Sequence, residues 1–188
     1  AQLSGGTIDN AGRVLGMGGA RVDAGSTLAN SGAILSGGDA SLTSGGDASL
    51  GGTVNANGKT SVSAGGKANV TGTVAAAGDV ALTAASIALE GTLSSGATLS
   101  ATSDSALTTG AASVIVADGA ATLTAKAIDA AGYISSGAAL DLRATDALSL
   151  GGQTHAGGAL SAKANETALG GVTVSDSDIR LDSTSALS

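Results

Sequence analysis

The chain has 188 residues, a formal net charge of −7, and no Cys, Pro, Trp or Phe. The negative charge argues against nucleic acid and anionic membrane surfaces as partners, because both are bound through clusters of Lys and Arg. The absence of Cys excludes a disulfide framework and a thiol nucleophile, and no apolar run approaches the ~20 residues of a membrane span, so no membrane insertion is expected.

Glycines and aliphatic residues recur every 20 residues from the start of the chain. The glycine columns are Gly12, Gly32, Gly52, Gly72 and Gly18, Gly38, Gly58, Gly78. The aliphatic columns are Val14, Ile34, Val54, Val74 and Val22, Leu42, Val62, Leu82. A fixed period of about 20 residues predicts a solenoid in which each repeat forms one layer and buries its apolar side chains against its neighbours.

The sequence Gly-Gly-Asp-Ala-Ser-Leu occurs twice, at 37–42 and at 45–50. Both copies fall within a single 20-residue row. We interpret them as two sides of one coil, each supplying a corner and one core residue, Leu42 or Leu50.

Alternating apolar residues predict strands within each row. Val80, Leu82 and Ala84 are spaced by two, and Ile87 and Leu89 follow in the same way. This spacing places the large side chains on one face of a pleated strand, whereas in a helix it would spread them around the axis. The strand prediction therefore overrides the helical propensity of this Ala-rich segment.

Beyond Gly72 the rows vary from 19 to 22 residues and begin at Gly91, Gly110, Gly132, Gly152 and Gly171. We expect the glycines to form the corners through positive φ angles, with Ser, Thr, Asn and Asp beside them. The predicted fold is all-β, a right-handed parallel β-helix of about nine coils, roughly 43 Å long. The row 110–131 is irregular, and its pattern leaves open whether it bulges outward as a loop.

The chain starts at Ala1-Gln2, with no initiator Met and no signal peptide. We expect residues 1–188 to be one β-helical repeat segment of a longer exoprotein. The exposed ends of such a segment are predicted to fray or to associate edge to edge.

The row pattern resembles the repeats of the filamentous haemagglutinin family. Gly-Thr-Val or Gly-Thr-Leu begins at 52, 72 and 91, within rows that contain "DVALTAASIALEG" and "GAALDLRATDALSLGG". These proteins are large exoproteins of Gram-negative bacteria that are exported by two-partner secretion. The resemblance implies a right-handed parallel β-helix, an outer-membrane transporter as the export partner, and a place in the shaft of a surface adhesin. The chain has no Arg-Gly-Asp triplet.

Several residues are of types that occur in metal or catalytic sites. The Gly-Gly-Asp copies at 37–39 and 45–47 are similar to calcium-binding nonapeptides but lack the Gly-x-Gly-x-Asp continuation, which favours turn chemistry. His155, the only histidine, has no second histidine or cysteine to complete a zinc site and is predicted to be a surface turn residue beside Gly157. We predict no metal and no cofactor.

Asp176, Asp178 and Asp182 form the densest acidic group and could serve as acid and base in polysaccharide cleavage. If Ile179 and Leu181 point inward, Asp178, Arg180 and Asp182 share the outer face, where alternating charges are usually solvated. The near-absence of aromatic residues leaves no platform for stacking sugar rings, so no catalytic residue is assigned and an enzyme is not expected.

The sequence also contains two minor patterns. The sequons at Asn69 and Asn165 are expected by chance in so Thr-rich a chain. A Thr53, Thr73 and Thr92 column raises a distant ice-binding possibility, but the regular Thr-x-Thr rows of such a surface are missing.

The predicted function is that of a structural shaft in a secreted or surface adhesin, which projects a distal functional region for host attachment and so contributes to virulence. The alternative is an intrinsic binding module for host-cell glycans or receptors, or for another copy of the protein. A carbohydrate-active enzyme is the more distant reading.

Overall fold

The computed structural model describes all 188 residues and contains 21 β-strands and no helix. Twelve strands form sheet A: β1 (Gln2–Asn10), β3 (Gly19–Asn30), β5 (Asp39–Ser44), β6 (Ala48–Leu50), β8 (Thr60–Val70), β10 (Val80–Leu89), β12 (Leu99–Ser103), β13 (Ala106–Thr109), β15 (Ala121–Ala130), β17 (Leu140–Leu150), β19 (Leu160–Leu169) and β21 (Ile179–Leu187). Nine strands form sheet B: β2 (Arg13–Gly16), β4 (Ala33–Ser36), β7 (Thr53–Ala56), β9 (Thr73–Ala76), β11 (Thr92–Ser95), β14 (Val114–Ala117), β16 (Tyr133–Ser136), β18 (Gln153–Ala156) and β20 (Val172–Ser175).

Every strand pairs in parallel with the equivalent strand of the next coil, so the chain is a β-solenoid of about nine turns. In sheet B, Thr53 pairs with Thr73 and Thr73 pairs with Thr92. In sheet A, the register shifts partway along the strands, for example between Ala84 and Ser86. This shift divides each sheet A coil into two sides, so that each coil has three sides, one in sheet B and two in sheet A. The predicted parallel β-solenoid is confirmed.

A single core of 45 buried apolar residues runs the length of the solenoid. Its members stack in the columns that the 20-residue period predicted. Leu42 and Leu50, from the two copies of the doubled motif, are both fully buried on different strands of one coil. This confirms that the doubled motif forms two sides of one coil.

The expectation of positive φ at the glycine corners is wrong. No residue of the chain, glycine or otherwise, has a positive φ. The glycines are instead required by close approach between coils. A Cβ at Gly52 would meet the carbonyl oxygen of Gly32, and a Cβ at Gly72 would meet that of Gly52, each closer than the 3.0 Å that real Cβ contacts respect.

At these corners, two consecutive backbone N–H groups donate to the same carbonyl oxygen of the preceding coil. The N–H groups of Ser31 and Gly32 both donate to the carbonyl oxygen of Asn10, at 3.0 and 2.9 Å. Buried serines close the other corners, as where Ser95 Oγ donates to the carbonyl oxygen of Thr98 at 2.8 Å. These bonds turn the chain without left-handed backbone.

The irregular row 110–131 does not project as a loop. Thr92 pairs with Val114, so the additional residues of this coil lie between Thr109 and Val114. Here the N–H of Ser113 donates to the carbonyl oxygen of Gly110 at 3.0 Å, which closes a tight turn. The coil above and the coil below keep their normal register across this turn.

An asparagine ladder occupies the core at the amino-terminal end. Asn10 Nδ2 donates to Asn30 Oδ1 at 2.7 Å, and Asn30 Nδ2 donates to the carbonyl oxygen of Thr53 at 3.3 Å. Asn30 is 1% exposed. In the following coils the same column holds Leu50 and Val70, so the amide pair is confined to this end.

We expect Asn30→Ala to destabilise the fold by about 1–3 kcal/mol, because Asn10 Nδ2 loses its acceptor at 2.7 Å and keeps only the bond to the Ala33 carbonyl at 3.4 Å, while the Thr53 carbonyl loses its amide donor. Urea unfolding followed by circular dichroism measures the difference. Asn55→Ala, on an exposed outward position of the next coil, is the matched control and should change the free energy of unfolding by less than about 0.5 kcal/mol. Equal losses in the two variants would contradict the role of the ladder.

Candidate functional site

The outward side chains of the two sheets differ in charge. Sheet A carries ion pairs between residues two apart on one strand, including Arg21 with Asp23 at 2.6 Å and Arg180 with Asp182 at 3.1 Å. Arg143 and Asp141 form a pair of the same kind. Alternation along a strand brings such residues to the same face, and at this exposure each pair adds little stability.

The outward face of sheet B has no carboxylate. Of its two outward positions per strand, only those of Arg13 and His155 carry a basic side chain. Tyr133, the only aromatic residue of the chain, also lies on this face and is 40% exposed. This face is therefore the least charged side of the solenoid.

The aspartates of the doubled Gly-Gly-Asp motif bond to the next coil. The Lys59 N–H donates to Asp39 Oδ1 at 2.9 Å, and the Lys67 N–H donates to Asp47 Oδ1 at 2.8 Å. Each carboxylate thus caps a backbone amide at a corner, which is turn chemistry between successive coils. The structure contains no group of three or more His, Cys, Asp or Glu side chains that could hold a metal ion.

Asp79 occupies the same corner column as Asp39 and accepts two hydrogen bonds from Thr98. The Thr98 hydroxyl donates to Asp79 Oδ1 at 2.7 Å and the Thr98 N–H donates to the same atom at 3.1 Å. The hydroxyl bond, then the backbone bond, lowers the pKa of Asp79 below 3.8, with a smaller contribution from Lys59. The carboxylate is therefore favoured in the folded chain.

We expect Thr98→Val to raise the pKa of Asp79 toward 3.8, because it removes the hydroxyl bond and keeps the backbone bond. Since the folded pKa is the lower one, the stabilisation is present above the unfolded value and is lost as the pH falls through the folded value. A carboxyl-carbon NMR titration measures the shift. Thr43→Val, which makes no contact with Asp79, should leave the titration unchanged.

His155 lies in strand β18, one residue from its end, and not in the turn beside Gly157 as predicted. His155 is in register with Ser135 and Val174 on the adjacent coils, which occupy outward positions of sheet B. Its side chain therefore points outward as well. Nε2 lies 3.4 Å from Oδ1 of Asp176, and both side chains are substantially exposed. The contact links two coils at the surface and includes no third polar group.

The acidic group near the carboxyl terminus is divided by the fold. Asp176 and Asp178 lie at the corner before β21, whereas Asp182 lies on that strand and bonds to Arg180. Ile179 and Leu181 occupy inward positions, in register with Leu160 and Ala162. Asp178 directly precedes β21 and is exposed, as are Arg180 and Asp182 on the strand.

The sequon residues also lie in regular structure. Asn69 is on β8 and half-buried. Asn165 is exposed at the bend of β19, where its Oδ1 accepts a hydrogen bond from the Thr184 hydroxyl at 2.7 Å. Neither asparagine makes a contact that indicates a function beyond the fold.

A groove that the residue patterns did not predict follows the bend of sheet A in the carboxyl-terminal coils. Its volume is about 400 Å³ and its floor is alanine. Its polar lining consists of Thr124, Arg143, Thr145, Lys163, Asn165 and Thr184. Arg143 and Lys163 are direct neighbours on adjacent coils, a relation that the column alignment could have revealed. The ion pairs of Arg143 with Asp141 and of Lys126 with Asp146 place carboxylates at the same bend.

The structure has no helix with the length and apolarity needed to cross a membrane. A protein-family model described as "Haemagglutinin repeat" matches the chain three times, at residues 1–52, 48–118 and 116–188. These matches together span the whole chain. Searches of curated proteins and of solved structures gave no match.

Proposed function

Because the chain belongs to the filamentous haemagglutinin family through its haemagglutinin repeats, we propose that it is a length of structural shaft in a bacterial adhesin. The shaft would project a distal functional region for host attachment, at the outer cell surface or on a secreted exoprotein. One observation carries the proposal. The coils stack in continuous parallel register around a single core from β1 to β21, which is the geometry of a rod.

The same family membership supports the proposed partners. Export would proceed through an outer-membrane two-partner-secretion transporter that recognises a region other than these residues. Edge-to-edge association with further coils is proposed as well, because a strand edge of a parallel stack can pair with another strand. The proposed role is not enzymatic.

A shaft should tolerate loss of a whole coil. Deleting residues 53–72 from the full exoprotein joins Gly52 to Thr73 and restores the Gly-Thr-Val corner. Deleting residues 133–152 joins Gly132 to Gln153 in the same way. We expect bacteria that carry either deletion to secrete the protein and to adhere to epithelial cells at normal levels.

Deletion of residues 53–62 is the control, because it removes half a coil and brings non-equivalent columns into contact. It should abolish secretion of folded protein. Loss of adhesion in only one of the two whole-coil deletions, with secretion intact, would identify an intrinsic binding site in that coil and overturn a purely structural role.

A further inference from the structure

The groove at the bend of sheet A has an apolar floor and two walls of different character. Its floor consists of three buried alanines, Ala125, Ala144 and Ala164. Its first wall consists of Thr124, Arg143 and Lys163, and its second wall consists of Thr145, Asn165 and Thr184. Strands β17 and β19 contribute to both walls, and each of them is paired on both sides. The charged part of the groove therefore lies within the stack of coils.

The first wall sets two like charges side by side. Arg143 and Lys163 are in register on adjacent strands, and no other in-register pair of the solenoid has two side chains of the same charge. Like charges directly opposite each other destabilise a sheet. A local arrangement that costs stability is typical of a functional site, and here an anion between the two cations would relieve the repulsion.

Both cations of this wall keep free hydrogen-bond donors. Arg143 bonds to Asp141 through Nε and Nη2, which leaves Nη1 without a partner in the chain. Lys163 is also in register with Asp182, but that carboxylate bonds to Arg180 at 3.1 Å. Lys163 Nζ consequently forms no salt bridge. Two charged donors on adjacent coils are available to a ligand.

The second wall is polar and uncharged. Asn165 accepts a hydrogen bond from Thr184 through Oδ1, and its Nδ2 donates to no atom of the chain. The Thr145 hydroxyl makes only a long contact, at 3.5 Å, with the carbonyl oxygen of Lys126. This wall therefore offers an amide donor and a hydroxyl to neutral polar groups.

Both walls are particular to the carboxyl-terminal coils. The position of the second wall is Gly25, Gly45 and Gly65 in the amino-terminal coils, so no side chain rises there. The position of the first wall is Thr43 and Ser63 on two of the same coils, without a cation. The groove is thus a local feature of an otherwise regular bend.

We propose that this groove binds a short saccharide that carries a carboxylate, of the uronate class. The carboxylate would lie between Arg143 Nη1 and Lys163 Nζ, where it accepts charge-assisted hydrogen bonds from both. Ring hydroxyls would bond to Asn165 Nδ2 and the Thr145 hydroxyl. The alanine floor would contact the apolar face of a ring, so binding requires no aromatic platform. The groove volume of about 400 Å³ lies within the usual range of small-molecule sites.

An acidic peptide fits the groove less well. Because β17 and β19 are paired on both sides, no strand edge along the groove can accept an added strand. The backbone amides and carbonyls of a peptide would lie against alanine without partners, which is costly. A saccharide carries its polar groups at the rim of each ring, where the two walls can reach them.

Titration of the purified chain followed by ¹H–¹⁵N NMR tests the proposal, with a trimer of galacturonate as the probe. We expect saturable shifts of the Arg143, Lys163 and Asn165 amide signals. A galactose trimer, which has no carboxylate, should bind at least about tenfold more weakly. A glutamate tripeptide and acetate should also bind more weakly. Equal affinity for the tripeptide would assign the groove to acidic peptides, and equal affinity for acetate would mean an adventitious ion only; either result would overturn the proposal.

Variants locate the binding site. Lys163→Gln should weaken binding of the galacturonate trimer about tenfold, because it removes a charged donor. Lys67→Gln, at an exposed position of sheet A away from the groove, makes the same change in net charge and should leave the affinity unchanged. Asn165→Ala should weaken binding of the trimer several-fold and leave binding of acetate unchanged. Far-UV circular dichroism verifies that each variant is folded.

Absence of saturable binding, or equal losses in Lys163→Gln and Lys67→Gln, would overturn the assignment of this groove. The proposal does not depend on the shaft role. Because it is tested on the purified chain, its failure would leave the secretion and adhesion tests of the shaft unaffected.

Discussion

Gly152→Ala is expected to destabilise the solenoid by about 3 kcal/mol or more, although it adds a single methyl group. The new Cβ would meet the carbonyl oxygen of Gly132 and the backbone of Ala131 on the coil below. Those atoms belong to the hydrogen-bonded stack, where Gly132 accepts from the Gln153 N–H at 3.1 Å. Relief of the clash must separate the coils, and urea unfolding monitored by circular dichroism measures the cost.

The adjacent residue provides the control. A Cβ at Gly151 has only the carbonyl oxygen of Ala130 within 4 Å, at 3.9 Å, and the residue does not have a positive φ. Gly151→Ala should therefore be neutral, or stabilising by about 0.4–1 kcal/mol through the lower entropy of the unfolded chain. Similar losses at both positions would mean that backbone conformation, and not close approach, selects glycine at this corner.

Leu42→Ala should cost about 2–5 kcal/mol, because it opens a cavity in the middle of a core column. Leu42 is 1% exposed and stacks between Val22 and Val62 on the adjacent coils. Parallel stacking holds these neighbours at the interstrand spacing, so they cannot move in to fill the space. Thermal and urea unfolding of the purified chain both measure the loss.

Leu15→Ala applies the same substitution at an outward position of sheet B. Leu15 is largely exposed, so the change should remain within about 0.5 kcal/mol when measured on dilute protein. A loss at Leu15 that matched the loss at Leu42 would contradict the assignment of inward and outward columns.

The coil architecture could be predicted from the sequence because its two spacings are both visible in one dimension. Alternation by two identifies the inward side of a strand, and recurrence every 20 residues identifies which residues stack. Val80, Leu82 and Ile87 were assigned to the interior on this basis, and all three are buried. The outward positions of sheet B follow from the same columns once the corners are placed.

The chemistry of the corners could not be predicted in the same way. Glycine is compatible both with positive φ and with close backbone approach, and only the path of the neighbouring coil separates the two. Likewise, the Gly-Gly-Asp pattern favoured turn chemistry at Asp39 but did not identify the partner of its carboxylate, a backbone amide 20 residues later. His155 was predicted in a turn and lies one residue before the end of β18, because the position of a corner depends on where the backbone pairing ends.

The hydrogen bonds between successive coils have a mechanical consequence. They run along the axis of the rod, so a pull on its two ends loads them one after another and does not shear many at once. Coils should then peel from an end singly, and each would release about 20 residues, or roughly 65 Å of extended chain. A tether built in this way lengthens in steps under tension and limits the force that reaches whatever it holds.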